Sequence, residues 1–494
     1  MNPAPHLARL KDDEDGSFLV IWGIGLAVFL GLIALSFDLG RVGITQTDLQ
    51  SYADSTALAA AGELDGSADA LDEARAAASV MVDRQTFARG DRALTEADVT
   101  LTFLSGLPAD DGSGTDGFVT TDPARARFVR VDIAAHTVGL TFGAAFRALL
   151  GRPEDAVSVT ASAVAGFTTL ACDVSTMMMC LPPGFDANAE SGRVIQLRAG
   201  GQGGGSWAPG NFGFLLPEDS LSAVDPDGAC SADNFNGPVP DWCFIAAQSP
   251  ATVCFEQDGV DTRTGQAVGN FAAALNTRFD IYAGVLNSYR NDPRFAPAPN
   301  VVDGIAVTRQ GNGQCKLDEA DPTDPAYTMP LPVDDCFFSD GGCSLARFSD
   351  ERQISAAHYA EYLDVNYGLT PGTAPAWFPD WPTTLYDIYI AETGAMVNGA
   401  IPELAGRQET GGAVCNPHGR GDPERRVLIV AGIDCVGNAI NGQTDDVPVD
   451  QWVRAFVVRP ADTVTKDVFV EIIGSAELGS GGSGQIRDVV RLYR

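Results

Sequence analysis

FLVIWGIGLAVFLGLIALSF, Phe18 to Phe37, carries no charged residue over 20 positions. A helix rises about 1.5 Å per residue, so this stretch matches roughly the 30 Å hydrocarbon core of a bilayer. It contains no Pro, and its only polar side chains are Ser36 and the Trp22 indole. The rival reading is a secretory signal peptide, whose apolar core runs only about 7–15 residues and ends in a small-residue cleavage site. Here the run is longer and is followed by Asp38-Leu39-Gly40-Arg41. The stretch is therefore read as an uncleaved, single-pass membrane helix.

The totals bound the rest. A chain of 494 residues holds about two to four domains. A composition that is 45% hydrophobic is globular rather than disordered. The formal net charge of −33 repels phosphate backbones and argues against nucleic acid as a partner. All ten cysteines (Cys172, Cys180, Cys230, Cys243, Cys254, Cys315, Cys336, Cys343, Cys415 and Cys435) follow the apolar stretch. They are even in number and contain no Cys-x-x-Cys pair, so up to five disulfides in an oxidising compartment are expected. That places the C-terminal bulk outside the cytoplasm. Arg9 and Lys11 ahead of the span agree with a cytoplasmic N-terminus.

Taken in order, residues 1–17 form a cytoplasmic tail and 18–37 the transmembrane helix. Gly23, Ala27 and Gly31 share one face of that helix, a spacing that lets a second membrane helix approach and makes self-association a candidate. The helix is expected to continue, because Leu39, Val42, Gln46, Leu49, Ala53, Ala57 and Ala60 recur at steps of three and four with one polar interruption. A second helix is expected from about Ala68 to Phe87, with Ser67 as its cap. From Val99 the period changes. Val99 to Phe103, Phe128 to Ile133 and Val157 to Phe167 alternate like half-buried strands, with a short helix from Phe142 to Leu150 between the last two. Residues 38–168 thus read as juxtamembrane helices plus a small α+β unit. Residues 169–494 read as a larger, loop-rich β domain stabilised by disulfides, with a helix between Ser349 and Tyr367. RRVLIVAGIDC, QWVRAFVVRPA and DVFVEIIG are expected to form antiparallel strands, and Arg487 to Tyr493 a closing edge strand. The fold class is α+β.

FDLGRVGITQTDLQSYADSTALAAAGEL, following a glycine-containing apolar helix, resembles the N-terminal region of the Flp/Tad pilus-assembly TadE/TadG-like proteins. Asp38, Gly40, Arg41, Leu49, Gln50, Ala53, Asp54, Ala57, Leu58, Ala59, Ala60 and Ala61 fall on that family's pattern. The resemblance covers roughly residues 16–62, and the layout of Cys172 to Arg494 is similar to the longer TadG-like proteins. It implies a bacterial inner-membrane protein with a periplasmic bulk, acting in the assembly or anchoring of a Flp/Tad-type pilus, with other pilus or secretion components as partners. Two alternatives stand beside it: a minor pilin-like subunit or surface adhesin, and a membrane-tethered periplasmic hydrolase or metal-binding protein. Gly16-Ser17-Phe18 resembles a prepilin leader, but Ile21 stands where such leaders are followed by Glu.

Candidate chemistry is sparse. Asp173-Val174-Ser175-Thr176-Met177 resembles the Asp-x-Ser-x-Ser metal site of von Willebrand A domains, which some TadG-like proteins carry. Met177 replaces the last ligand, and Cys172 and Cys180 bracket the segment, so a disulfide-closed turn is expected there instead. Gly200 to Gly205 lacks the Gly-Lys-Ser/Thr of a phosphate loop and reads as a turning loop before Trp207. Cys415 lies close to His418, a spacing open to nucleophilic chemistry, but Cys415 is read as disulfide-bonded, with Cys435 as a candidate partner. Paired acids such as Asp334 with Asp335 and Asp445 with Asp446 follow no calcium-loop spacing and read as solvated loops. The expectation is no catalytic residue, no metal and no cofactor. Trp377, Phe378 and Trp381, stiffened by neighbouring prolines, are equally open to partner contact and to burial.

Overall fold

The computed structural model describes residues 15–64, 67–82, 86–87, 92–108, 113–140, 142, 157–172, 174–200, 207–216, 229–230, 241–248, 254–257, 259–263, 268–299, 302, 304–309, 315–319, 328–397, 409, 411–418, 422–440, 443–462, 464–476 and 485–493. The chain forms two units, one of Met1–Thr168 with Asp488–Arg494, the other of Thr169–Arg487.

In the first unit, helix α1 spans Asp15–Ala61, 47 residues without a break. No proline interrupts it, and the Ala-rich second half has high helix propensity. Leu49, Ala53, Ala57 and Ala60 on its inner face have no exposed surface. Helix α2, Ala70–Val82, packs on α1 and buries Leu71, Ala74 and Ala78. It is shorter than the 68–87 expected, and residues 83–85 lie outside the described residues. Strands β1 (Val99–Leu104), β2 (Phe128–Val138) and β3 (Val157–Cys172, whose last four residues belong to the second unit) pair antiparallel, with Leu104 opposite Phe128 and Phe128 opposite Gly166. Val129, Val131 and Ile133 alternate into the core against α1, as the period-2 pattern requires. Gly166 is needed where it stands, since a Cβ there would lie 2.4 Å from the Phe128 ring. The expected helix at 142–150 lies outside the described residues except for Phe142.

In the second unit the strands are β4 (Met177–Cys180), β5 (Val194–Ala199), β6 (Asn211–Leu215), β7 (Cys254–Glu256), β8 (Val260–Arg263), β9 (Val427–Ile433), β10 (Thr444–Val447), β11 (Gln451–Val457) and β12 (Val468–Ser475), beside a separate two-stranded antiparallel pair of Ile305–Arg309 with Cys315–Glu319. Their order is β10-β8-β6-β4-β9-β11-β12-β5, and β5 also pairs with β6. Six strands therefore close on themselves, with β4–β9 and β5–β6 parallel and the other neighbours antiparallel. Closure leaves no free edge within those six, and β8 and β10 extend the sheet outward from β6. The expected antiparallel trio is β9, β11 and β12. All seven residues of β9 are buried, which fits a strand covered on both faces. Short helices α3 (Asp241–Ala246) and α4 (Val268–Asn276) join the larger core. Helices α5 (Ala356–Tyr367) and α6 (Leu385–Val397) form a second layer over Phe456 and Phe469. Arg426 fastens that layer, its guanidinium 4.5 Å from the ring centres of Phe279 and Tyr389 and 4.6 Å from that of Phe456.

The closing segment differs from the sequence reading, which keeps it within 169–494. Strand β13, Gln485–Leu492, is an edge strand as expected, but it lies beside β3, and its last residues belong to the first unit.

All ten cysteines are paired, as Cys172–Cys254, Cys180–Cys435, Cys230–Cys243, Cys315–Cys415 and Cys336–Cys343. Two expected pairings are corrected. Cys172 and Cys180 do not close a turn: Cys172 at the end of β3 lies opposite Cys254 in the β3–β7 ladder, and Cys180 on β4 is carried to Cys435 by the parallel pairing with β9, which sets Cys180 beside Ile433. With Cys435 taken, Cys415 bonds Cys315. Sequence proximity was a poor guide because the sheet brings together residues 255 apart.

Candidate functional site

The site is α1 itself, in two halves of opposite character. From Val20 to Phe37 its side chains are almost all exposed, among them Trp22 at 67%, Phe29 at 61% and Phe37 at 51%. Gly23 and Gly31 have no neighbouring atom within reach of an added Cβ, and Ala27 is likewise exposed. The helix is long and apolar enough to cross a membrane. From Leu49 onward the same helix is buried against the first unit's sheet. Its outer half exposes a continuous apolar cylinder, met at its Phe37 end by the Phe142 ring.

The seat is built by polar residues at helical spacing. Gln46 Nε2 donates to the Thr160 carbonyl at 2.7 Å and Gln50 Nε2 to the Ser162 carbonyl at 2.9 Å. Four residues on a helix rise about 6 Å, and two residues on a strand about 6.6 Å, so the Gln pair keeps step with alternate carbonyls of β3. Two residues further on, Tyr493 N donates to the Val164 carbonyl at 2.8 Å. The two glutamines thus continue, with side-chain amides, a row of bonds that the chain's last residues supply from backbone. Gln50 also bonds Asp54 Oδ1 at 2.8 Å, which fixes its amide.

At the boundary between the halves, Asp38 is 4% exposed and accepts from the Phe142 backbone N–H at 3.1 Å. The Phe37 and Phe142 rings meet edge to face with centres 5.6 Å apart. Asp38 therefore ties the end of the apolar half to Phe142. Sequence reasoning placed Asp38 and Gln50 on a pattern and Gln46 as an interruption. It missed what they bond, although a glutamine pair four apart on a buried stripe was the available signal.

Residues 16–63 match the family model of putative Flp pilus-assembly TadE/G-like proteins. The TadE/G-like segment is nearly coextensive with α1 and so contains both the apolar half and its seat. Neither the curated proteins nor the solved structures give a match to the chain.

Beyond the TadE/G-like segment, the other candidate residues are placed as follows. Phe378 is 4% exposed inside the helical layer, packed on Tyr359 and Tyr367, so burial removes it from partner contact. Trp377 packs on the same layer, whereas Trp381 is 50% exposed and donates its indole N–H to the Ile354 carbonyl. Asp173 lies outside the described residues; Met177 is buried in β4. Of the glycine run only Gly200 is described, and it lies against the Trp207 ring, where a Cβ would come within 2.4 Å. Cys415 is disulfide-bonded, and its backbone N–H donates to Asp280, which also accepts from Val414 and Asn416. Burial pushes the Asp280 carboxyl up against the pull of those three donors.

A small cleft of about 70 Å³ is lined by Asp334, Asp335, Glu351 and His358 among others. Asp334 is occupied there, accepting from the N–H groups of Cys336, Asp350 and Glu351. His358 Nε2 stands 3.3 Å from Asp335. Among the described residues no three His, Cys, Asp or Glu side chains converge as metal ligands.

Proposed function

We propose that this chain is a single-pass protein of the bacterial inner membrane that serves a Flp/Tad-type pilus system as a structural or assembly component. Helix α1 anchors it. The N-terminal tail lies in the cytoplasm, and both folded units lie in the periplasm, where the second presents its surface to other pilus or secretion components. Its role is structural rather than catalytic.

The single observation that carries this reading is that α1 is uninterrupted between a naked apolar half and a half bonded to a folded sheet. A cleaved signal would have no reason to be continuous with, and sequence-matched to, the seat. The TadE/G-like match supports the pilus connection, and the five disulfides support an oxidising compartment for the second unit.

The test is to shear pili from cells, separate inner membrane, periplasm and outer membrane, and locate the protein by immunoblot. It is expected with the inner membrane. Recovery with the sheared fibres would make it a filament component, and recovery free in the periplasm would make the apolar half a cleaved signal.

A further inference from the structure

We propose that Phe142 is a second membrane contact, which Asp38 holds in the lipid interface at the periplasmic end of α1, so that the first unit rests on the bilayer rather than hanging from a single helix. This rests on the reading of α1 as a membrane span.

If Phe18 to Phe37 fills the hydrocarbon core, Phe37 lies at its boundary. The Asp38 carboxylate follows immediately and receives the Phe142 N–H. The Phe142 ring touches the Phe37 ring, yet 44% of Phe142 remains exposed, as does 62% of Leu39 two residues past the boundary. The register of the sheet agrees with this level. Along β3 the carbonyls of Thr160 and Ser162 meet Gln46 and then Gln50, so β3 runs away from the membrane alongside α1. Val157 and its partner Val138 therefore form the end of the sheet nearest Phe37, and the chain reaches Phe142 four residues after Val138. Val119, bridged to Leu104, which pairs with Phe128 opposite Gly166, marks the far end.

The occupant is the lipid headgroup–acyl boundary, for two reasons. Phe142 is continuous with the apolar surface of the span. An aromatic ring at that depth also gains from leaving water, without needing a protein pocket.

The chain has no free cysteine. Single cysteines at 33, 119 and 142 (Ile33→Cys, Val119→Cys and Phe142→Cys) therefore accept a nitroxide selectively in the full-length protein reconstituted in phosphatidylethanolamine–phosphatidylglycerol vesicles. All three positions are at least 44% exposed, so each label is tolerated. The ratio of oxygen to nickel-chelate accessibility reports depth. It is expected to be highest at 33, lowest at 119, and at 142 several-fold above 119. A label at 142 as aqueous as that at 119, with 33 still deep, overturns the inference and leaves the anchor standing. A label at 33 as aqueous as that at 119 overturns the anchor, and the inference falls with it.

Discussion

Gln50 shows how one side chain joins a family pattern to a tertiary contact. Its amide is shared between the Ser162 carbonyl and Asp54, so Gln50→Ala frees an acceptor at the edge of β3 and loosens the helix. The bond is solvent-accessible, and the expected loss is about 1 kcal/mol, read as a lowered chemical-denaturation midpoint of the first unit. Glu471 on β12 is a different case. It is 1% exposed and accepts the Tyr386 N–H at the start of α6. Burial is the main cause that raises its carboxyl to about 8, with nearby Asp387 adding to it. A carboxyl raised in the fold is satisfied while protonated, so stability is full below the ordinary carboxylate range and declines as pH climbs toward 8. Glu471→Gln keeps an acceptor for Tyr386 and removes the charge. The variant is expected to lose less stability between pH 5 and 8 than the parent, by on the order of a few kcal/mol, in denaturation midpoints measured across that range.

At the scale of elements, α1 was the most legible part of the chain. Charge-free length gave its outer half, and the step of three and four gave its inner face, because an amphipathic helix advertises its burial in its own period. Ala53 and Ala57 have no exposed surface in the core that α1 shares with α2 and the sheet, so their small size lets α1 pack closely there. Ala57→Leu adds a branched side chain where no space exists. The expected cost is about 1–3 kcal/mol by thermal or chemical unfolding, whereas leucine in place of the exposed Gly31 leaves the fold unaffected. The strands β1, β2, β3, β9, β11 and β12 were also legible, since alternation and continuous apolar runs are local. The closure of six strands through the β5–β6 pairing was not. It depends on contacts between distant segments with parallel register, for which a single sequence carries no local signal. The same holds for the disulfides: parity gave five bridges, and only topology could say which.

For the whole molecule, the asymmetry of cysteine placement matters. Every bridge lies in the second unit, and two close loops of 100 residues or more, Cys315–Cys415 and Cys180–Cys435. A long closed loop restricts the unfolded chain most. Reduction under native conditions is therefore expected to lower the unfolding temperature of the second unit and to leave that of the first unchanged, which calorimetry with and without reductant can resolve. In this unit the sequence left Phe378 open between burial and contact, and the fold buries it; it read Cys415 as disulfide-bonded, and the fold supplies Cys315 rather than Cys435 as the partner.

We propose above all that α1 crosses the membrane with its N-terminus inside and everything after it outside. The direct measurement is labelling with a membrane-impermeant maleimide on cells stripped of their outer membrane, using full-length chains with a single added cysteine. Val464→Cys, 85% exposed in the second unit, marks one side, and His6→Cys, ahead of the span, marks the other. Rapid labelling is expected at 464 and none at 6 until the inner membrane is permeabilised. Labelling at 6 with protection at 464, or equal labelling of both in intact stripped cells, would contradict it.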